Sequence, residues 1–225
     1  YLLKIMLMKI ITCLLLLLLH LNLSAQKKLT SGGKLKPEQA NMDIRHYEIN
    51  VDVDMVAKSI SAVTSIRLTL LQPTTVLLFD LLDSFNIRSI KLNGAAVPFT
   101  YANDLITINS AKLLPAGNVT VTVAYDGKPH VAIRPPWDDG FTWTKDSTGN
   151  PWMAVTAEGT GGKLFFPCKD HPSDEPDDGA DMIISVPKGL VVAGPGMLQK
   201  SMRKNNKAVY HWKTTYPINN YSLVF

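Results

Sequence analysis

From residue 44 onward the chain alternates between apolar and polar positions. In IRHYEINVDVD (44–54), Tyr47, Ile49, Val51 and Val53 are separated by Glu48, Asn50 and Asp52. A period of two sends successive side chains to opposite faces, so this stretch predicts a half-buried strand. ISAVTSIRLTL (60–70) repeats the period with Ile60, Ala62, Ile66, Leu68 and Leu70 on one face, and MVAKS between the two predicts a hairpin. TVLLFDLL (75–82) is nearly continuously apolar, as in a strand buried on both faces. IRSIKL and AVPFTY flank Asn93-Gly94, a pair suited to a tight primed turn. DLITINS follows, and NVTVTVAYDG then places Val119, Val121, Val123 and Tyr125 on one face.

Residues 127–151 break this rhythm. Pro135-Pro136 and the aromatics Trp137, Phe141 and Trp143 predict a long ordered loop and a hairpin with its tip at 146–150. Such aromatics either stack on a sugar or peptide, or pin the loop to its own domain. Farther on, LVVAG, a Gly-Pro-Gly turn, a basic stretch at 200–207 and AVYHWK predict further strands around a solvated tip at Asn205-Asn206; YSLVF begins another. Nothing in 43–128 holds a helical period over three turns. The pattern therefore predicts an all-β domain, an antiparallel β-sandwich, open barrel or saddle-like sheet, with no catalytic helical domain in this chain.

Composition changes that picture mainly at the amino-terminal end. MKIITCLLLLLLHLNLSAQ (8–26) reads as a secretory signal: a Lys, a Leu-rich core, and Leu23-Ser24-Ala25 before a cut. Residues 1–25 are expected to be that leader, with 1–7 upstream of a natural start at Met8. A retained anchor is the alternative, although the apolar run is short for a membrane span. Residues 26–42 are polar with Gly, Pro and Lys and read as a linker or extended arm; 43–225 form the domain, expected to be truncated after YSLVF. Removing the leader takes away Lys4 and Lys9 and no acid, so the net charge falls from +4 to +2. With no basic run interleaved with aromatics, nucleic acid is not an expected partner. Cys168 then stands alone, which excludes an intrachain disulfide. Beside Phe165, Phe166 and Pro167 it reads as a small buried hydrophobe.

The chemistry-bearing stretch is 152–187. Gly159, Gly161 and Gly162 follow Glu158, which is the only ionisable residue there before Lys163. A carboxylate on a glycine-lined bend can receive a cation; otherwise it is a solvated loop Glu. No His-Glu-x-x-His occurs, and His46, His130, His171 and His211 are not at ligand spacing. His46 is expected to point outward from its strand and His211 to sit among core aromatics. The acids Asp170, Asp174, Glu175, Asp177 and Asp178 fail the EF-hand spacing, leaving an irregular calcium site as the alternative. By itself the chain is expected neither to bind zinc nor to hydrolyse a peptide.

Glu158, the block Phe166-Pro167-Cys168-Lys169-Asp170-His171-Pro172, the following Ser173-Asp174-Glu175-Pro176, and the upstream Trp143-Thr144-Lys145-Asp146 carry a resemblance. Together they resemble the amino-terminal domain of the gluzincin zinc aminopeptidases, the alanyl aminopeptidase and leukotriene-hydrolase group (peptidase family M1), in a form like that of Bacteroidetes. One departure is Gly162-Lys163 where the family has Ala-Arg, which exchanges a bidentate fork for a point donor. The resemblance implies a secreted enzyme whose zinc is held by a downstream catalytic domain. Its partners would be peptide substrates and that domain. Glu158, with Gly159 and Gly161, would receive the substrate α-amine, and Asp170 and the prolines would shape the corner before ADMIISVP. Two readings compete: a non-catalytic exported β-sandwich that binds protein or glycan through its aromatic loop, and a relative whose zinc motif has degenerated.

Overall fold

The computed structural model describes residues 30–225, together with Lys4 and Met6. Apart from those two positions, the leader expected at 1–25 lies outside the described residues. A helical turn, α1 (Pro37–Ala40), precedes the strands, with Pro at its first position, where the missing N–H costs nothing. Strands follow: β1 (Met42–Asp54), β2 (Ser59–Leu70), β3 (Thr74–Asp80), β4 (Phe85–Leu92), β5 (Ala95–Ala96), β6 (Phe99–Ala102), β7 (Leu105–Leu114) and β8 (Gly117–Gly127). Then come β9 (Gly140–Lys145), β10 (Pro151–Thr156), β11 (Ala180–Pro187), β12 (Met197–Lys204) and β13 (Lys207–Thr214).

These form a large sheet in the order β12-β13-β11-β1-β2-β8-β4-β5, a three-stranded sheet β3-β7-β6, and the β9–β10 hairpin. The all-β, largely antiparallel architecture is the one the alternation predicts. The turn at Asn93 and Gly94 has the two positive φ angles, 48° and 85°, of a primed hairpin. One pairing departs: β1 and β11 run parallel, from Tyr47 opposite Ala180 to Asp52 opposite Ser185.

The predicted inward rows are buried. Tyr47, Ile49, Val51 and Val53 on β1, Ile66, Leu68 and Leu70 on β2, and Val121, Val123 and Tyr125 on β8 share one core with Leu77 and Phe79 of β3 and Ile106 and Ile108 of β7. The buried Thr64 in that row is satisfied: its hydroxyl lies 3.1 Å from the Tyr125 hydroxyl, which donates to the Phe165 carbonyl at 2.9 Å. Here the large sheet grips the turn that carries the Phe-Phe-Pro-Cys step.

The two strand histidines correct the sequence reading. His46 does lie opposite Tyr47 in the pleat, but it is only 7% exposed. Strand β11 lies alongside and brings Asp181 within 2.9 Å of His46 Nε2. His211 is not among the core aromatics. The β11–β13 register pairs it with Ile183 and places Lys213 opposite Asp181. Its Nε2 therefore reaches the other Asp181 oxygen at 2.5 Å, with Lys213 Nζ at 3.2 Å.

Burial pushes the Asp181 carboxyl up, but hydrogen bonds from His211 and Lys213 outweigh it and hold the group below the usual range. Burial, aided by Arg67, lowers the His46 imidazole. Both folded values lie below the unfolded ones, so both contributions are present at neutral pH and are lost on acidification. Unfolding free energy should fall as pH drops below about 6.5, first through His46 and then, at more acid pH, through Asp181. In urea titrations across pH, His46→Gln should remove the upper step and leave the lower one.

Candidate functional site

The segment after β10 is built from two tight turns. Gly161 donates its N–H to the Ala157 carbonyl at 2.7 Å, and a 3₁₀ turn spans Gly162–Leu164. Phe165 and Phe166 then enter the core with ring centroids 5.0 Å apart, and Phe166 meets the edge of Tyr47 at 5.4 Å. Backbone bonds exchanged between Cys168 and Asp80, 2.7 and 3.1 Å, tie the next residues to the end of β3. Cys168 is buried, and its burial pushes the thiol well above its ordinary pKa. It packs as the small hydrophobe expected and is a poor nucleophile.

Beneath this turn lie two buried ion pairs, with a third, exposed cluster around Arg45. Lys163 Nζ is 3.0 Å from Asp170, whose side chain is 1% exposed, and it also donates to the Thr30 carbonyl. Lys163 thus works as a point donor between two acceptors. Lys169 Nζ lies 2.9 Å from Asp174 and donates to the Met42 carbonyl at 2.7 Å. Burial nevertheless pushes the Asp174 carboxyl up against this pairing. Arg45 pairs with Asp177 and, at 3.4 Å, with Asp178. Asp170, Asp174, Asp177 and Asp178 are therefore turned toward the protein's own cations, while Glu175 pairs with none among the described residues. Among the described residues no group of three His, Cys, Asp or Glu is placed to hold a metal. The described residues do not assemble a zinc site.

Glu158 stands above these pairs. It is exposed and lines a cleft of about 280 Å³ with Ser31, Gly32, Gly33, His171 and Tyr221. Among the described residues its carboxylate makes no hydrogen bond or ion pair, in contrast to Asp170, Asp174, Asp177 and Asp178. Gly159, its neighbour, faces Asp139. Like Gly161, it does not line the cleft; Gly161 differs in its backbone. At φ +84°, a Cβ there would fall well inside van der Waals contact of Asp170. Its lack of a side chain serves the close approach of the turn to the buried carboxylate.

Two contributors carry no signal in the local sequence. Asn220 accepts from the Gly162 N–H at 2.9 Å and donates to the Lys169 carbonyl at 3.2 Å, clamping the turn from a residue far along the chain. The stretch read as a linker or arm, 26–42, is docked over its described part. Ser31 N–H reaches the Gly159 carbonyl at 2.7 Å, and Gln39 Nε2 donates to Asp80 at 2.6 Å. The aromatic loop divides its labour: Phe141 stacks on Trp143 at 5.5 Å and meets Phe165 at 5.9 Å, whereas Trp137 is 87% exposed.

Residues 44–222 match the Peptidase M1 N-terminal domain. The chain is 24% identical over 197 residues to the leukotriene A-4 hydrolase of Xenopus laevis, covering 82% of this chain and 31% of that protein. Among solved structures it is similar to an M1 zinc metallopeptidase from Deinococcus radiodurans (20% identity, TM-score 0.69, 82% of this chain and 41% of that one). It is also similar to native yeast LTA4 hydrolase (18%, TM-score 0.65, 90% and 32%). The structural likenesses show the fold; the chain spans well under half the length of these relatives. With the match running from β1 to the turn that carries Asn220, the chain belongs to the Peptidase M1 N-terminal domain family.

Proposed function

We propose that this chain is the substrate-facing amino-terminal domain of an exported zinc aminopeptidase, and that Glu158 receives the free amine of the peptide. The carrying observation is the Glu158 carboxylate, exposed in a cleft without a partner among the described residues, while the nearby Asp170 and Asp174 are paired with Lys163 and Lys169. A carboxylate and an ammonium ~4 Å apart attract by about 4 kcal/mol at an effective dielectric near 20, before desolvation is subtracted. That attraction rewards a peptide terminus over an internal peptide bond. A solved relative from D. radiodurans holds a Tyr-Ser-Ala substrate, and a two-domain M1 zinc metallopeptidase holds L-arginine. Each of these ligands has a free α-amine. Zinc in this reading belongs to a downstream catalytic domain, because the described residues do not assemble a site for it. Export rests on the leucine-rich leader at 8–26.

The test uses the full-length protein. Glu158→Ala should lower kcat/KM on aminoacyl substrates roughly 10- to 100-fold, mainly through KM, with some loss of kcat as the scissile bond drifts from alignment. Glu158→Gln should be milder, since its carbonyl oxygen still accepts from the ammonium. An amino-terminally acetylated peptide should be a poor substrate for the parent and insensitive to the substitution. The melting temperature should barely move. Equal kinetic constants for Glu158→Ala and the parent on free-amine substrates would end this reading.

A further inference from the structure

We propose that the arm at residues 30–36 is a working wall of the Glu158 cleft, with Ser31 as a positioning residue for the Glu158 loop. This rests on the reading of Glu158 given above. The arm lies outside the family match at 44–222. Even so, Ser31, Gly32 and Gly33 line the cleft together with Glu158, His171 and Tyr221.

Ser31 holds the loop from two sides. Its N–H donates to the Gly159 carbonyl at 2.7 Å, and its hydroxyl donates to Asp170 Oδ1, also at 2.7 Å. Gly32 N–H adds a bond to the Asp170 carbonyl at 3.2 Å, and Lys163 reaches back to the Thr30 carbonyl. The far end of the arm is fixed to β3, where Lys36 lies 3.7 Å from Asp80 and Gln39 donates to the same carboxylate.

The mechanical need is clear from the loop's composition. Gly159, Gly161 and Gly162 give it wide backbone freedom, and the carbonyl next to Glu158 is held by Ser31. Without that bond, the carboxylate that meets the substrate amine is no longer held in register. A small misplacement of a binding group costs a large part of its effect. Gly32 and Gly33, at φ +72° and +93°, curve the arm over Pro172 and present backbone to the cleft, which leaves room for the first residue of a peptide.

The experiment compares the full-length enzyme with an arm deletion (26–35), Ser31→Pro, which removes the N–H, and Ser31→Thr, which keeps both donors. Each is measured for KM and kcat on a free-amine aminoacyl substrate and for hydrogen exchange across 157–163. Ser31→Pro should raise KM roughly three- to tenfold, the effect of losing one net hydrogen bond, and the deletion, which also removes the Ser31 hydroxyl, Gly32 and Thr30 contacts, by at least as much, with kcat nearly unchanged. Exchange should quicken in that loop alone, and Ser31→Thr should behave as the parent. In a Glu158→Ala background the deletion should add little further KM. Unchanged KM or unchanged loop exchange in the deletion overturns the proposal, as does exchange that quickens throughout the domain. If Glu158→Ala raises KM while the arm variants do not, the arm falls and the Glu158 reading stands. If Glu158→Ala is silent while the arm variants raise KM, the amine reading falls and the arm stands as a cleft wall.

Discussion

Asp170→Ala is expected to lower the unfolding free energy by about 3–5 kcal/mol, because removing one partner of a buried pair strands the other. The stranded partner is Lys163, whose side chain is 14% exposed and which would keep only the Thr30 carbonyl. The Ser31 hydroxyl would lose its acceptor at the same time. The partner substitution Lys163→Met should cost a similar amount by leaving the carboxylate uncompensated. Replacing both, as Lys163→Met with Asp170→Leu, should be far less damaging than either alone, since paired apolar groups carry no desolvation debt. Chemical unfolding of the four proteins measures this directly. A double variant as unstable as the singles would show that the pair does more than neutralise itself.

Gly161→Ala should cost about 2–5 kcal/mol, combining the left-handed backbone penalty of a non-glycine residue with overpacking against Asp170. The φ of +84° and the position of the Asp170 carboxylate leave no unstrained place for a methyl group. Gly159→Ala is the contrast. It has no positive φ, and its nearest neighbour is the end of the Asp139 side chain at 3.1 Å, which can swing away. Its stability should change by no more than about 0.5 kcal/mol. If Gly159 borders the path of the substrate, Gly159→Ala should raise KM in the full-length enzyme without a shift in melting temperature. Gly161→Ala should do the reverse, shifting melting first. Identical stability losses for the two variants would refute this division of roles.

That contrast also shows how far the sequence carries. Period-two runs are local, so β1, β2 and β8 and their buried rows could be read residue by residue. So could the turn at Asn93 and Gly94. A glycine run likewise announces that the backbone is doing something special at 159–162, but not whether the near surface is a ligand or the protein itself. The answer for Gly161 depends on Asp170, and on the packing that buries it. The same limit applies to His46 and His211, each of which looked ordinary on its own strand. Only the sheet order β13-β11-β1 brings both to Asp181. Asn220 and Ser31 belong to the same class: short polar residues without a motif, placed by distant chain.

The parallel pairing of β1 with β11 also governs how the domain is made. His46 and Asp181, which face each other across it, are 135 residues apart. β1 can zip onto β2 as soon as the hairpin emerges from the ribosome, but its other edge must wait until nearly the whole domain has been synthesised. Closing so long a loop is slow, and topologies rich in distant contacts fold slowly. A newly made chain therefore passes through a stage in which a sheet edge is open and the core is half covered. During translation, that stage is the opening for chaperones, for proteases and for stray edge-to-edge association.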